Sequence, residues 1–141
     1  MLTVFRDQAI KWVLLATLGY GLLYLSWYWG TPLGQSPVLD GAENLLIAEA
    51  IADATLPTEP FYRAMFYPCV LSVFFIFGLT PEGTFLATQL LGLITHLCST
   101  GIIFYLSSHL FNNRKSALMA TVLFGLNPVI IYFAVDPLDV T

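Results

Sequence analysis

Three stretches of this sequence, 12–29, 84–111 and 116–135, contain no Asp, Glu, Lys or Arg. Uncharged runs of that length constrain the fold more than any motif does. Taken back to residue 8, the first makes a helix of about 33 Å at 1.5 Å per residue, and a bilayer's hydrocarbon core is about 30 Å thick. The other two are also long enough to cross. The whole chain is 57% hydrophobic and 10% charged, with mean hydropathy +0.78, whereas a soluble domain carries about 25% charged residues. The expected fold is therefore all-α and membrane-integral.

The first run follows Arg6 and Lys11, as a signal peptide would. It exceeds the usual apolar core, however, and no Ala-x-Ala site follows it, so it reads as a retained first helix. Trp27, Tyr28 and Trp29 at its end form the aromatic belt of a membrane interface, and Gly30, Pro32 and Gly34 break it. Residues 40–54 read as a short helix lying on the membrane surface. Asp40 is placed to cap it, with Glu43 as the second acid of a capping box. The run 65–78 is too short to cross comfortably, with Pro68 in its first turn, and suits an interfacial segment. Within 84–111, Gln89, Thr95, His96, Ser99 and Thr100 point to packing against other helices.

Charge then sets the topology. With 65–78 lying at the surface there are three spans, at about 8–29, 84–111 and 116–135, and the loop 30–83 is outside. The N-terminus, Arg114 and Lys115 are then inside, leaving Arg63 as the one basic residue outside and Asp7 as the one acid inside. A fourth crossing at 65–78, the alternative, would move Arg114 and Lys115 out, against the positive-inside tendency. Asp40, Glu43, Arg63, Asp136 and Asp139 share the outer side. The net charge of −4 excludes nucleic acid as a partner, since phosphates call for clustered Lys and Arg. Cys69, Cys98, His96 and His109 have no metal-ligand spacing. The partners implied are membrane lipids.

The order of these features resembles the N-terminal part of GT-C glycosyltransferases, the superfamily of protein O-mannosyltransferases and the aminoarabinose transferase that modifies lipid A. A first membrane helix, an outer-loop Asp and a surface helix come first. Next is Phe-Tyr-Arg-x-x-x-Tyr-Pro, at 61–68, opening an apolar helix that ends in Phe-Gly. A span, a small basic loop and a span ending in Asp-Pro-Leu follow. The resemblance runs from about residue 8 to 141. It implies transfer of a sugar from a polyprenyl-phosphate carrier to an acceptor on the non-cytoplasmic face. By the same resemblance, Asp40 is the acidic residue of the first outer loop that lies at the catalytic centre, as a base or acceptor-binding group, Arg63 contacts the carrier phosphate, and Asp136 lines the same cavity. Glu43 is the nearest second acid, where relatives often have Asp-Glu adjacent and this chain has Gly41. The expected donor substrate is a polyprenyl-phosphate-linked sugar. Neither a divalent metal nor an oligomeric state is implied. Relatives are several times longer, so the chain is expected to be an N-terminal fragment, inactive alone.

These residue types suit that chemistry. A guanidinium stabilises charge on a departing lipid phosphate and matches its oxygens in a fork, and an Asp near the anomeric carbon can take the acceptor's proton. Each assignment competes with a plainer one: Asp40 as a helix cap, Arg63 as an interfacial snorkelling residue beside Phe61, Tyr62 and Tyr67, and Asp136 as the end of a span before Pro137. Asp139, Glu49, Asp53, Glu59 and Glu82 read as solvated. The function of another class is a small accessory membrane protein whose charges only set topology.

Overall fold

The computed structural model describes residues 8–35, 37, 40–55 and 65–136, and every regular element among them is a helix. The order is α1 (Gln8–Trp29), α2 (Pro32–Gln35), α3 (Asp40–Ala52), α4 (Phe66–Ile76), α5 (Pro81–Phe111), α6 (Arg114–Gly125) and α7 (Pro128–Val135). Two helices, α1 and α5, are each long and apolar enough to cross a membrane. The pair α6 and α7 passes the same test together, with a 52° bend between its halves. At 11 residues, α4 reaches about 17 Å and is too short to cross. Residues 1–7, 36, 38–39, 56–64 and 137–141 lie outside the described part, and Arg63 and Asp139 are among them.

Local chemistry explains most of the boundaries. Both α3 and α4 end in the same pair of hydrogen bonds, closing back over a residue in the left-handed region. After α4 that residue is Gly78 (φ 81°), with Gly78 N donating to Phe75 O and Leu79 N to Phe74 O. After α3 it is Ala54 (φ 55°), with Ala54 N donating to Ile51 O and Thr55 N to Ala50 O. Glycine takes this conformation freely, whereas an L side chain costs roughly 1–2 kcal/mol there. The helix expected over 40–54 therefore stops at Ala52. Thr80 then caps α5, accepting from Gly83 N at 3.2 Å, with Pro81 in its first turn. That start precedes the expected 84, because cap and proline set it before the apolar run begins.

The third apolar run departs furthest from a straight span. Asn127 caps α7, accepting from Val129 N at 2.9 Å, and Pro128 has no N–H with which to continue the ladder of α6. The Gly125 carbonyl at the break accepts from His96 Nε2 at 3.1 Å, which satisfies a group the helix leaves open and makes His96 a packing residue. Helix α5 is the centre of the molecule, contacting α1, α4, α6 and α7, while α3 lies mainly on α4. A Cβ at Gly92 would run into the Ala134 carbonyl oxygen, so α5 and α7 touch backbone to backbone there.

Candidate functional site

The candidate site lies where α1 and α7 finish and α5 begins. Tyr28 and Trp29, the last two residues of α1, reach the other two helices. The Trp29 indole donates to Gln89 Oε1 on α5 at 2.6 Å, and the Tyr28 hydroxyl donates to the carboxylate of Asp136, the residue that ends α7 and whose backbone N–H donates to Tyr132 O. Tyr132, one turn earlier on α7, donates to the same carboxylate. The Tyr28 and Tyr132 rings meet edge to face at 6.4 Å, and Tyr24 stacks on Tyr28. Three separate helices are thus tied by polar side chains at one end.

Burial pushes the Asp136 carboxyl above the usual carboxylate range, and the two hydroxyls that donate to it pull it partly back. A carboxyl group in that setting keeps its proton to higher pH than a solvated one. Beside it, Gln89 is fully buried, and its amide nitrogen has no hydrogen-bond partner. An indole can only donate, so the oxygen must face Trp29 and the nitrogen is left unmatched.

The second part of the site is the junction of α3 with α5. Asp40 is the first residue of α3, and Glu43 lies in its first turn, where carboxylates face the positive end of the helix dipole. Both are half-buried. The buried stripe of α3 is Gly41, Asn44, Leu45 and Ala48, so an asparagine stands where the 3–4 spacing would put an apolar residue. Leu45 and Ala48 pack with Leu71 of α4 and Phe85 of α5. Asn44 and Thr84, next to Leu45 and Phe85 in sequence, are fully buried with unpartnered side-chain atoms. Phe85 is one turn from Gln89, so Asp40, Glu43 and Asp136 belong to the same end of the molecule.

Of the residues singled out in the sequence, Asp40 and Glu43 open α3 and Asp136 ends α7, towards the same end of the molecule but on separate elements that meet through α5. Arg63 lies outside the described residues. The sequence reading missed Tyr28, Tyr132 and Asn44 as polar partners. The Trp-Tyr-Trp run looked like an aromatic belt alone, while Gln89 was already marked by its polarity within an apolar helix. Among the described residues, no group of three His, Cys, Asp or Glu could hold a metal ion. No family model, curated protein or solved structure matches this chain.

Proposed function

We propose that this chain is the N-terminal membrane module of a glycosyltransferase that takes a sugar from a polyprenyl-phosphate carrier on the non-cytoplasmic face. The observation that supports the reading is that the α3 start, with Asp40 and Glu43, and the α7 end, with Asp136, both lie towards the Trp29 end of the helices, where Gln89, Asn44 and Thr84 are buried with unpartnered polar atoms. The order of elements also supports it: a helix long and apolar enough to cross, two shorter helices, α3 and α4, and a long central helix that passes the same test. The proposed topology has three spans, with the N-terminus and Arg114–Lys115 on the cytoplasmic side and the acidic end outside.

In this reading the acceptor hydroxyl attacks the anomeric carbon, and Asp40 takes the hydroxyl's proton as the new C–O bond forms. The bond from the anomeric carbon to the phosphate oxygen breaks, and the lipid phosphate leaves with both electrons of that bond. Arg63 holds the departing phosphate. Glu43 and Asp136 line the cavity and hold sugar or acceptor hydroxyls.

The test is retention of a polyprenyl-phosphate-linked sugar by the chain in nanodiscs. Wild type should bind, Arg63→Ala should lose at least about tenfold, and Arg63→Lys should recover part of that, because lysine keeps the charge without the fork. In a full-length parent, Asp40→Asn should keep the helix start yet lower transfer by about 10²-fold or more. Equal binding by wild type and Arg63→Ala would favour the accessory-protein reading.

A further inference from the structure

A groove of about 320 Å³ lies between α3, the end of α4 and the start of α5. That volume is at the lower end of the ~300–1,000 Å³ typical of small-molecule sites. Its walls are Leu45 and Leu46 of α3, Phe75 of α4 and Phe85 of α5, and two carboxylates, Glu49 and Glu82, lie in its lining. Leu46 is 67% exposed beside it. Both glutamates are exposed, and neither has an ion-pair partner among the described residues. Among the described residues, the lining holds no Lys, Arg or His. The groove shares Leu45 and Phe85 with the α3–α5 junction, but none of its lining residues takes a chemical role in the transfer proposed above.

An apolar wall ending in two carboxylates selects an occupant with the opposite arrangement, an apolar tail and a cationic head. Its position selects further. Glu82 is in the first turn of α5, a helix long and apolar enough to cross a membrane, and in the proposed topology that end of the helix meets the lipid headgroups. We infer that this groove binds a membrane phospholipid with a primary-amine headgroup. One acyl chain lies against Leu45, Leu46, Phe75 and Phe85, and the ammonium lies between Glu49 and Glu82. The ammonium has three N–H donors to divide between two carboxylates, and charge-assisted hydrogen bonds of that kind are about twice as strong as neutral ones. An anionic lipid would bring a third negative charge to the same place. Phosphatidylcholine carries positive charge but no N–H to donate.

The test uses the whole chain in phosphatidylcholine nanodiscs, titrated with a short-chain phosphatidylethanolamine and, separately, with a phosphatidylglycerol of the same acyl length. Bound lipid is read by native mass spectrometry. Phosphatidylethanolamine should be retained in preference to phosphatidylglycerol. The double variant Glu49→Gln, Glu82→Gln should lose at least about tenfold of that affinity, as expected for charge-assisted hydrogen bonds. If the double variant is not monodisperse, each single substitution should still lose about threefold, and loss by neither overturns the inference. Retention of phosphatidylglycerol as tight as phosphatidylethanolamine overturns it, as does undiminished binding in the folded double variant. Preference for a long-chain alkylamine over phosphatidylethanolamine would overturn the phospholipid assignment, since the glycerophosphate would then contribute nothing. None of these outcomes depends on sugar transfer, so the result stands apart from the proposed enzymatic role.

Discussion

At the end where α1 starts, α5 finishes and α6 starts, Ile10, Phe104 and Ala117 close on one another, with Val13, Leu14 and Leu118 around them. At the opposite end, the same α1 and α5 meet through an indole and an amide, and α7 joins them through two tyrosines and a carboxylate. One end is sealed by apolar contact and carries Lys11, Arg114 and Lys115 outside the seal. The other keeps Gln89, Asn44 and Thr84 fully buried with unpartnered polar atoms. Apolar packing alone would have been the cheaper way to close both ends, because a buried polar atom without a partner costs about 1–3 kcal/mol. The difference sets an apolar joint at the basic end against an acidic end whose buried polar groups are not all satisfied.

The largest effect should come from opening the joint. Phe104→Ala should destabilise the chain by roughly 3 kcal/mol, the lower part of the range for large-to-small core changes. In lipid the vacated surface is not transferred to water, so only the cavity term is lost. Unfolding in mixed micelles measures it, and binding at the acidic end should survive under conditions where the variant stays folded. Gly92→Ala is the next largest, at about 1–3 kcal/mol. The added methyl meets the Ala134 carbonyl, and backbone cannot swing aside as a side chain would. Because Ala134 is two residues from Asp136, this substitution should also weaken ligand binding at the acidic end, which Phe104→Ala should not. Equal effects of the two on binding would erase the distinction between the ends.

How much of this was legible in the sequence differs by element. The span of α1 could be read directly, because charge ends at one boundary and Gly30 and Pro32 mark the other. The short α4 was legible from the length of its apolar run and from Gly78. The stop of α3 was not, since Ala-Asp-Ala-Thr contains no residue that favours the left-handed conformation Ala54 adopts. The bend after Gly125 had a signal in Asn127-Pro128, but hydropathy runs evenly across it and gave a single span. Asp40, Glu43 and Asp136 stood out as acids near apolar runs. What ties Asp136 down could not be read, because Tyr28 and Tyr132 lie more than a hundred residues apart in a chain where tyrosine is common, and only packing against α5 brings them together.

A pair of substitutions at the acidic end separates structural polar groups from poised ones. Trp29→Phe removes the indole donor and leaves the Gln89 oxygen buried and bare, which should cost about 1–3 kcal/mol. Gln89→Leu removes the bare acceptor and the already unpartnered nitrogen together. It should therefore be near neutral or stabilising, even though the indole loses its acceptor, because Trp29 is partly exposed and water can replace it. A Gln89→Leu chain that is as stable as wild type yet binds polyprenyl-phosphate sugar more weakly would show that the amide is kept for a ligand. If both substitutions destabilise equally, Gln89 has a partner in the folded chain, and the contrast between the ends shrinks.

The smallest expected effect is the most specific, and it concerns Asp136. Its carboxyl is raised by burial, with Tyr132 and Tyr28 opposing the rise. A group with a raised folded-state pKa contributes its full stability below the unfolded value, about 4, and loses that contribution as pH rises through the folded value. Wild type should therefore lose stability relative to Asp136→Asn as pH climbs from about 4 towards neutrality. Asparagine keeps an oxygen that both tyrosines can reach and has no charge to bury. At neutral pH it should be the more stable form, by no more than about 1 kcal/mol because a half-buried carboxylate is partly screened, and the gap should close in acid. Thermal midpoints of the two proteins from pH 4 to pH 8 supply the comparison. If Asp136→Asn is instead the less stable form at neutral pH, the negative charge is being matched in the folded chain. A cation would then complete the acidic end, and the carboxylate would be stabilised by that partner rather than merely held by two hydroxyls.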